Sequence, residues 1–450
     1  MQLDAARRDL VPRREAFLWW LKLGFINFGG PAGQIAVMHD ELVDRRRWIS
    51  NDRFLHALNF CMLLPGPEAT QLAIYVGWLL NGTLGGIVAG VLFVLPAFFL
   101  ILGLSWSYAM HGDVAWVAAI FYGLRSAVIG LVAAAVIRVG SKALKTPAAW
   151  TVAAVAFVAI FFFQVDFPWV VIGAGVAGVL GSRIDPRWWP AGGHGDEAGD
   201  HLLSGDALER AAPTWRRSVR VLLIGLAVWW GPLLLVLAVR GADDTLSKEA
   251  IFFSQAAMVT FGGAYAVLAY INQAAVQQFG WLAPGQMVTG LGLAESTPGP
   301  LIMVTEFVGF LGGYNFPGGL DPVVAGILGA TVTTWATFAP CFLWIFLGAP
   351  FIERLRGQRG LSAALSAITA AVVGVILNLA VTFAAFALFD EVRRGHVAGA
   401  DFPLPVLSSI DAFAALLAAA SFVVLWRHKV NVLYVVVACA GAGLVYRLVF

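Results

Sequence analysis

Apolar residues in this chain run on for whole helix lengths without the polar interruptions that mark the wet face of a soluble helix. Ala148 to Phe163, Val219 to Val239 and Val432 to Val445 are three such runs. Each approaches the roughly 20 residues that carry a helix across about 30 Å of hydrocarbon. A closed β-barrel would instead alternate polar and apolar positions. About thirteen apolar segments can be counted. The pattern therefore predicts an all-α polytopic membrane protein whose segments are transmembrane or re-entrant helices.

Between the sixth and seventh segments lies the one long polar stretch, about Ser182 to Arg217. It divides the chain into a first transmembrane repeat over residues 16–181, a cytoplasmic linker with a connecting helix over 182–249, and a second transmembrane repeat over 250–450. The linker holds His194, Asp196, Glu197, Asp200, His201 and Asp206 among glycines. Their mixed charge and irregular spacing read as a solvated loop rather than a metal site.

Composition agrees with lipid: 60% of the 450 residues are hydrophobic and 12% charged, and the mean hydropathy is +0.80. Arg7, Arg8, Arg13 and Arg14 precede the first apolar stretch without a small-residue cleavage site, which predicts an uncleaved membrane segment rather than a signal peptide. A net charge of +2 gives no basic surface for nucleic acid. Cys61, Cys341 and Cys439 lie far apart inside apolar segments, so they read as small buried residues and imply neither disulfides nor a metal.

Sliding the sequence on itself reveals a duplication. Phe28-Gly29-Gly30 recurs as Phe261-Gly262-Gly263, Trp48 as Trp281, and Pro65-Gly66-Pro67 as Pro298-Gly299-Pro300, all at one offset (261 − 28, 281 − 48 and 298 − 65 are each 233). Beyond the proline motif the register slips by one, so that Tyr75-Val76-Gly77 meets Phe307-Val308-Gly309. Later Gly85, Pro96 and Gly130 meet Gly329, Pro340 and Gly374 at an offset of 244.

About six segments per copy, with the Val219 to Val239 helix between them, place the two copies in opposite orientations. Charge gives the same answer, because cytoplasmic loops collect Lys and Arg. The first copy reads His39, Asp40, Asp44, Arg45, Arg46 and Arg47 where the second reads Asn272, Gln273, Gln277, Gln278, Phe279 and Gly280. Arg138, Lys142, Lys145, Arg216, Arg217, Arg220, Arg354, Arg356, Arg359, Arg427 and Lys429 then fall on one face, taken as cytoplasmic. Keeping Arg45 to Arg47 there makes the first two segments of each copy either re-entrant hairpins, which is the preferred reading, or two full crossings.

The glycine and proline motifs fall mid-segment, where proline removes a backbone donor and glycine loosens the helix. A helix restarting after Gly30 or Pro67 presents free N–H groups and the positive end of its dipole, a fit for an oxyanion. Two inverted copies aim up to four such ends at the membrane midplane.

Two Phe-Gly-Gly elements, each followed by a Trp and a Pro-Gly-Pro, resemble the long, two-repeat form of the chromate ion transporter family over nearly the whole chain. The resemblance implies transport of chromate, a tetrahedral dianion similar to sulfate, outward across the cell inner membrane as a resistance function. It carries the site onto Gly29, Gly30, Pro65, Gly66, Pro67, Gly262, Gly263, Pro298, Gly299 and Pro300. Ala264 replaces the proline that follows the first glycine pair, so the two half-sites need not be equivalent.

Ionisable residues at membrane depth are costly and mark function. Lys22 and Arg125 are candidates to balance the dianion, against snorkelling for Lys22 and a structural hydrogen bond for Arg125. Asn27, Thr70, Gln71, Thr297 and Thr305 are neutral groups able to hydrogen-bond an oxyanion or to hold helices together. Glu68, Glu295 and Glu306 would repel the anion if ionised and suit a role as proton-coupling carboxyls, although a helix N-terminus alone explains Glu68. The partners expected are an oxyanion and membrane lipid, with no cofactor, and a homodimer is left open. Sulfate or another small oxyanion, or an oxyanion channel, is the alternative to chromate transport. A membrane-bound reductase lacks a dinucleotide fingerprint and a cysteine cluster, and an ATP-driven pump lacks a phosphate-binding loop.

Overall fold

The computed structural model describes residues 11–28, 30–112, 114–189, 214–261, 264–349, 359–397, 400–428 and 430–449. Gly29, Gly262, Gly263, Arg354, Arg356, Lys429 and the acidic and histidine residues of the linker lie outside them. Sixteen α-helices occur among the described residues. Seven are long and apolar enough to cross a membrane.

The first repeat comprises α1 (Arg13–Ile26), α2 (Gly30–His39), α3 (Asn51–Leu63), α4 (Glu68–His111), α5 (Ala115–Ala143), α6 (Pro147–Phe161) and α7 (Phe167–Ile184). The peripheral α8 (Trp215–Arg240) follows, its long side chains such as Leu223, Leu235 and Val239 exposed as lipid contact requires. In the second repeat come α9 (Thr245–Val259), α10 (Ala264–Gln273), α11 (Gln286–Ser296), α12 (Val304–Asn315), α13 (Pro322–Gly348) and α14 (Arg359–Leu388). An antiparallel hairpin of β1 (Val392–Val397) and β2 (Ala400–Pro405) leads to α15 (Ala412–Arg427) and α16 (Val432–Val449). Asn81 and Gly82 leave helical geometry inside α4, so its first half is the counterpart of α12 and its second half that of α13.

Irregular backbone repeats as faithfully as the helices. A π-helical turn over Asp40–Arg45 recurs over Ala274–Gln278. Arg47 has φ 52° and its counterpart Gly280 has φ 67°. The side chains between them diverge while the packing persists: the Arg46 guanidinium lies 4.9 Å over the Trp48 ring, whereas Phe279 stacks on Trp281 with centroids 4.3 Å apart. Charge has been stripped from the second copy without disturbing the turn.

Helix directions establish the inversion. Near the start of α5, the Tyr122 hydroxyl donates to Asp411 before α15 at 2.7 Å. Further along both helices Gly130 packs on Ala418, so α5 and α15 run parallel. Yet α6, the counterpart of α15, turns straight back from α5. Equivalent helices thus point in opposite directions. The central helices are also exchanged: α5 packs on α15 and α16 of the second repeat, and α14 packs on α6 and α7 of the first. Gly374 against Ala153 repeats the contact of Gly130 with Ala418. Glycine at these crossings lets backbones approach closely, the usual basis of helix association in lipid.

The short helices pair as hairpins that return the chain to the end from which it entered. With 14 residues α1 spans only about 21 Å, less than the hydrocarbon thickness. Arg46 forms an ion pair with Glu15 at 2.8 Å, returning the chain after α2 to the end where α1 began. Asn81 donates to the Val11 carbonyl at 2.7 Å, bringing the first half of α4 back to the same end. We call this the near end; it carries Arg45 to Arg47. The hairpins of the second repeat enter from the far end.

Candidate functional site

The tips of the hairpins are the glycine and proline motifs, and they interlock across the two repeats. The Gly66 N–H donates to the Thr260 carbonyl at 2.8 Å, and the Gly299 N–H donates to the Asn27 carbonyl at 3.3 Å. Thr260 and Asn27 are counterparts, each just before a Phe-Gly-Gly element. Each Pro-Gly-Pro tip of one repeat therefore bonds the opened end of the first hairpin helix of the other. Both glycines have positive φ, 126° at Gly66 and 135° at Gly299, where only glycine is comfortable.

The tips also rest on the long helices opposite. A β-carbon on Gly66 would stand 3.1 Å from Cys341 Sγ, and one on Gly299 would collide with Ala97. Cys341 and Ala97 each follow a proline inside a helix, Pro340 in α13 and Pro96 in α4. Proline there frees the carbonyl one turn earlier. Gly24 of α1 accordingly packs directly on the Leu92 carbonyl, four residues before Pro96.

Around the tips lie buried polar atoms that no protein group satisfies. Asn27 is fully buried, and neither atom of its side-chain amide has a partner among the described residues. The same holds for the hydroxyls of Thr70, in the first turn of α4, and Thr305, in the first turn of α12. Orphaned buried donors are rare enough to ask for a ligand. Gly30 opens α2 with φ 66° and open space where a β-carbon would stand. Pro67 caps α4, whose leading N–H groups face the break, and Pro300 precedes the turn into α12.

Other predicted residues are placed differently. Gln71 spends an amide N–H on the Pro65 carbonyl at 2.8 Å, bracing its own break. Thr297 donates its hydroxyl to the Leu293 carbonyl at 3.1 Å. Arg125 donates from Nε to Thr289 of α11 at 2.8 Å, about 10 Å along that helix from its end at Ser296. Lys22 is exposed on the stripe of α1 that carries Leu18, Phe25 and Ile26, not among its buried residues Trp19, Trp20 and Leu23. Glu68 is half-buried as the first residue of α4. Glu295 accepts a hydrogen bond from the Tyr265 hydroxyl, and Glu306 is fully buried with neither oxygen partnered.

Gln34 was not singled out from sequence. Its side-chain amide donates to both the Asn27 and Gly299 carbonyls, clipping the junction of the two repeats. Val267 occupies the same position in the second repeat, so the clip exists on one side alone. A buried amide one turn past the glycine pair was the available signal.

Broken helices meeting tip to tip between inverted, exchanged repeats define a polytopic membrane transporter. The chain belongs to the chromate transporter family, which matches residues 14–179 and 248–444 and so spans both repeats. It is 33% identical over 434 residues to a chromate transport protein of Pseudomonas aeruginosa, covering 95% of this chain and 91% of that one. It is 30% identical over 375 residues to a probable chromate transport protein of Synechococcus elongatus, covering 83% and 84%. A chromate transport protein of Cupriavidus metallidurans is 29% identical over 378 residues, covering 84% of each chain. No solved structure matches.

Proposed function

We propose that this protein is a secondary active transporter that exports chromate across the inner membrane, binding the anion where the interlocked tips converge. The carrying observation is the pair of cross-repeat bonds, Gly66 to Thr260 and Gly299 to Asn27, which hold opened backbone beside unpartnered donors on Asn27, Thr70 and Thr305. Relatives named for chromate transport support the substrate. In this reading Gly29, Gly30, Gly66, Gly262, Gly263 and Gly299 permit close approach of backbone N–H groups to the anion. Pro65, Pro67, Pro298 and Pro300 keep the helices broken, and Asn27, Thr70 and Gln71 line the site. Arg125 lowers the cost of bringing a dianion to this depth. Glu68, Glu295 and Glu306 supply the exchanged proton.

In this reading the near end, rich in Arg and Lys, is the cytoplasmic one. Uptake of labelled chromate and sulfate into proteoliposomes, under separately imposed pH gradients and membrane potentials, tests the proposal. Saturable chromate movement that responds to the pH gradient is expected. A preference for sulfate would reassign the substrate, and a voltage-dependent current indifferent to pH would make the protein a channel.

A further inference from the structure

The duplication lets every buried polar group in one repeat be compared with its counterpart in the other. Glu249 of α9 is fully buried, and neither carboxyl oxygen has a partner among the described residues. Oε1 faces Gly312 of α12, and Oε2 lies 2.9 Å from where a β-carbon on Gly329 of α13 would stand. Thr333, one turn along α13, sets its hydroxyl against Gly309, where it donates to the Gly329 carbonyl at 2.9 Å and keeps its oxygen free to accept. On α12, Gly312, Gly309 and Thr305 share one face by their helical spacing. Thr305 and the adjacent Glu306 are buried with unpartnered oxygens. Polar groups therefore follow one another from Glu249, one turn inside the far end, to Glu306 beside the Pro298-Gly299-Pro300 break.

The first repeat has nothing of the kind. Counterparts of Glu249, Thr305, Glu306 and Thr333 are Ala16, Ala73, Ile74 and Ala89. Packing is otherwise the same, with Gly77 against Gly85 and Ala89 where Gly309 meets Gly329 and Thr333. The fold is thus satisfied by apolar side chains at these positions. Polar ones confined to one inverted half give the molecule a direction. A lasting bare charge on a carboxylate buried without a partner is costly, so a carboxyl at either position is suited to passing a proton on and regaining one.

Asp244, paired with Arg240 at 2.8 Å, is the charged group at the outer side of Glu249, and Lys248 is its neighbour on α9. The other ionisable groups on α10, α12 and α13 are Tyr265, Tyr270, Glu306, Tyr314 and Cys341. None supplies a fixed countercharge.

We propose that Glu249, Thr333, Thr305 and Glu306 form a proton path from the far side to the anion site, with Glu249 as its outer carboxyl. Glu306 releases its proton into the anion site, from which it leaves to the near side, and regains one from Glu249 through the threonine hydroxyls; water beside Asp244 reprotonates Glu249. This rests on the secondary-transport reading and names the route of its coupling.

Glu249→Gln and Thr333→Ala proteoliposomes should be compared with wild type in two assays: chromate accumulation driven by a pH gradient, and counterflow of labelled against unlabelled chromate without a gradient. Accumulation should fall at least tenfold in Glu249→Gln and severalfold in Thr333→Ala, while counterflow stays at the wild-type rate and reports an intact fold. Undiminished pH-driven accumulation in Glu249→Gln overturns the path. Loss of counterflow together with accumulation also overturns it, making Glu249 structural. Wild-type protein without counterflow instead refutes the transport reading itself.

Discussion

Replacing Gly299 with alanine tests the interlocked tips most directly, because the cost divides into two parts that a second substitution separates. At φ 135° any L side chain is strained, at about 1–2 kcal/mol. The new β-carbon also collides with that of Ala97 on α4, and overpacking of this kind costs about 1–3 kcal/mol. Gly299→Ala should therefore destabilise the protein by about 3 kcal/mol, or roughly 100-fold in the folded equilibrium. Ala97→Gly alone costs about 1 kcal/mol as a glycine inside a helix. If the collision is real, the double variant should fall about 2 kcal/mol short of the sum of the single ones, since removing the Ala97 β-carbon leaves the strain but relieves the clash. Reversible unfolding in detergent–SDS mixed micelles measures all three free energies, and chromate uptake should recover in part in the double variant. Additivity within about 0.5 kcal/mol would show that the tip does not rest on α4, and the cross-repeat site would fall with it.

The inversion predicts that cysteines introduced at Asp44 and Gln277 react with impermeant thiol reagents from opposite sides of the membrane; labelling from one side refutes it. Gln34→Leu removes two buried hydrogen bonds and leaves the Gly299 carbonyl without its side-chain donor, while the Asn27 carbonyl keeps the Gly299 N–H; this should lower stability by about 1–3 kcal/mol and transport with it, whereas Val267→Gln should not restore either. Arg46→Phe, which copies the stacking of Phe279 on Trp281, deletes two partly exposed ion pairs, to Glu15 and Glu41, and should retain the fold within about 2 kcal/mol because such pairs contribute about 0–1 kcal/mol each; a loss above about 3 kcal/mol in the same micelle titration would show the charge to be structural. At least one of Glu68→Gln, Glu295→Gln and Glu306→Gln should bind chromate yet lose the response of uptake to a pH gradient; if all three respond like wild type, the coupling ion is not carried by these carboxyls.

The sequence by itself determined the solvent, the duplication and the polarity of the two halves. These are properties of long apolar runs, of motifs repeated at fixed offsets, and of Arg45 to Arg47 set against Gln278, Phe279 and Gly280, and each survives in one dimension. It also located the breaks, because Gly66 and Gly299 flanked by prolines admit no helix. Which break meets which was decided only in three dimensions. Gly66 bonds Thr260 and Gly299 bonds Asn27 through contacts more than 190 residues apart, a range at which neither periodicity nor propensity carries information. For the same reason Gln71 and Arg125 could be recognised as polar groups at depth, but not as partners of Pro65 and Thr289. Glu249 was not singled out from sequence, because only folding seals it between Gly312 and Gly329. Burial without a partner is a property of surroundings, and the surroundings of a short helix packed at the centre of the fold come almost wholly from elsewhere in the chain.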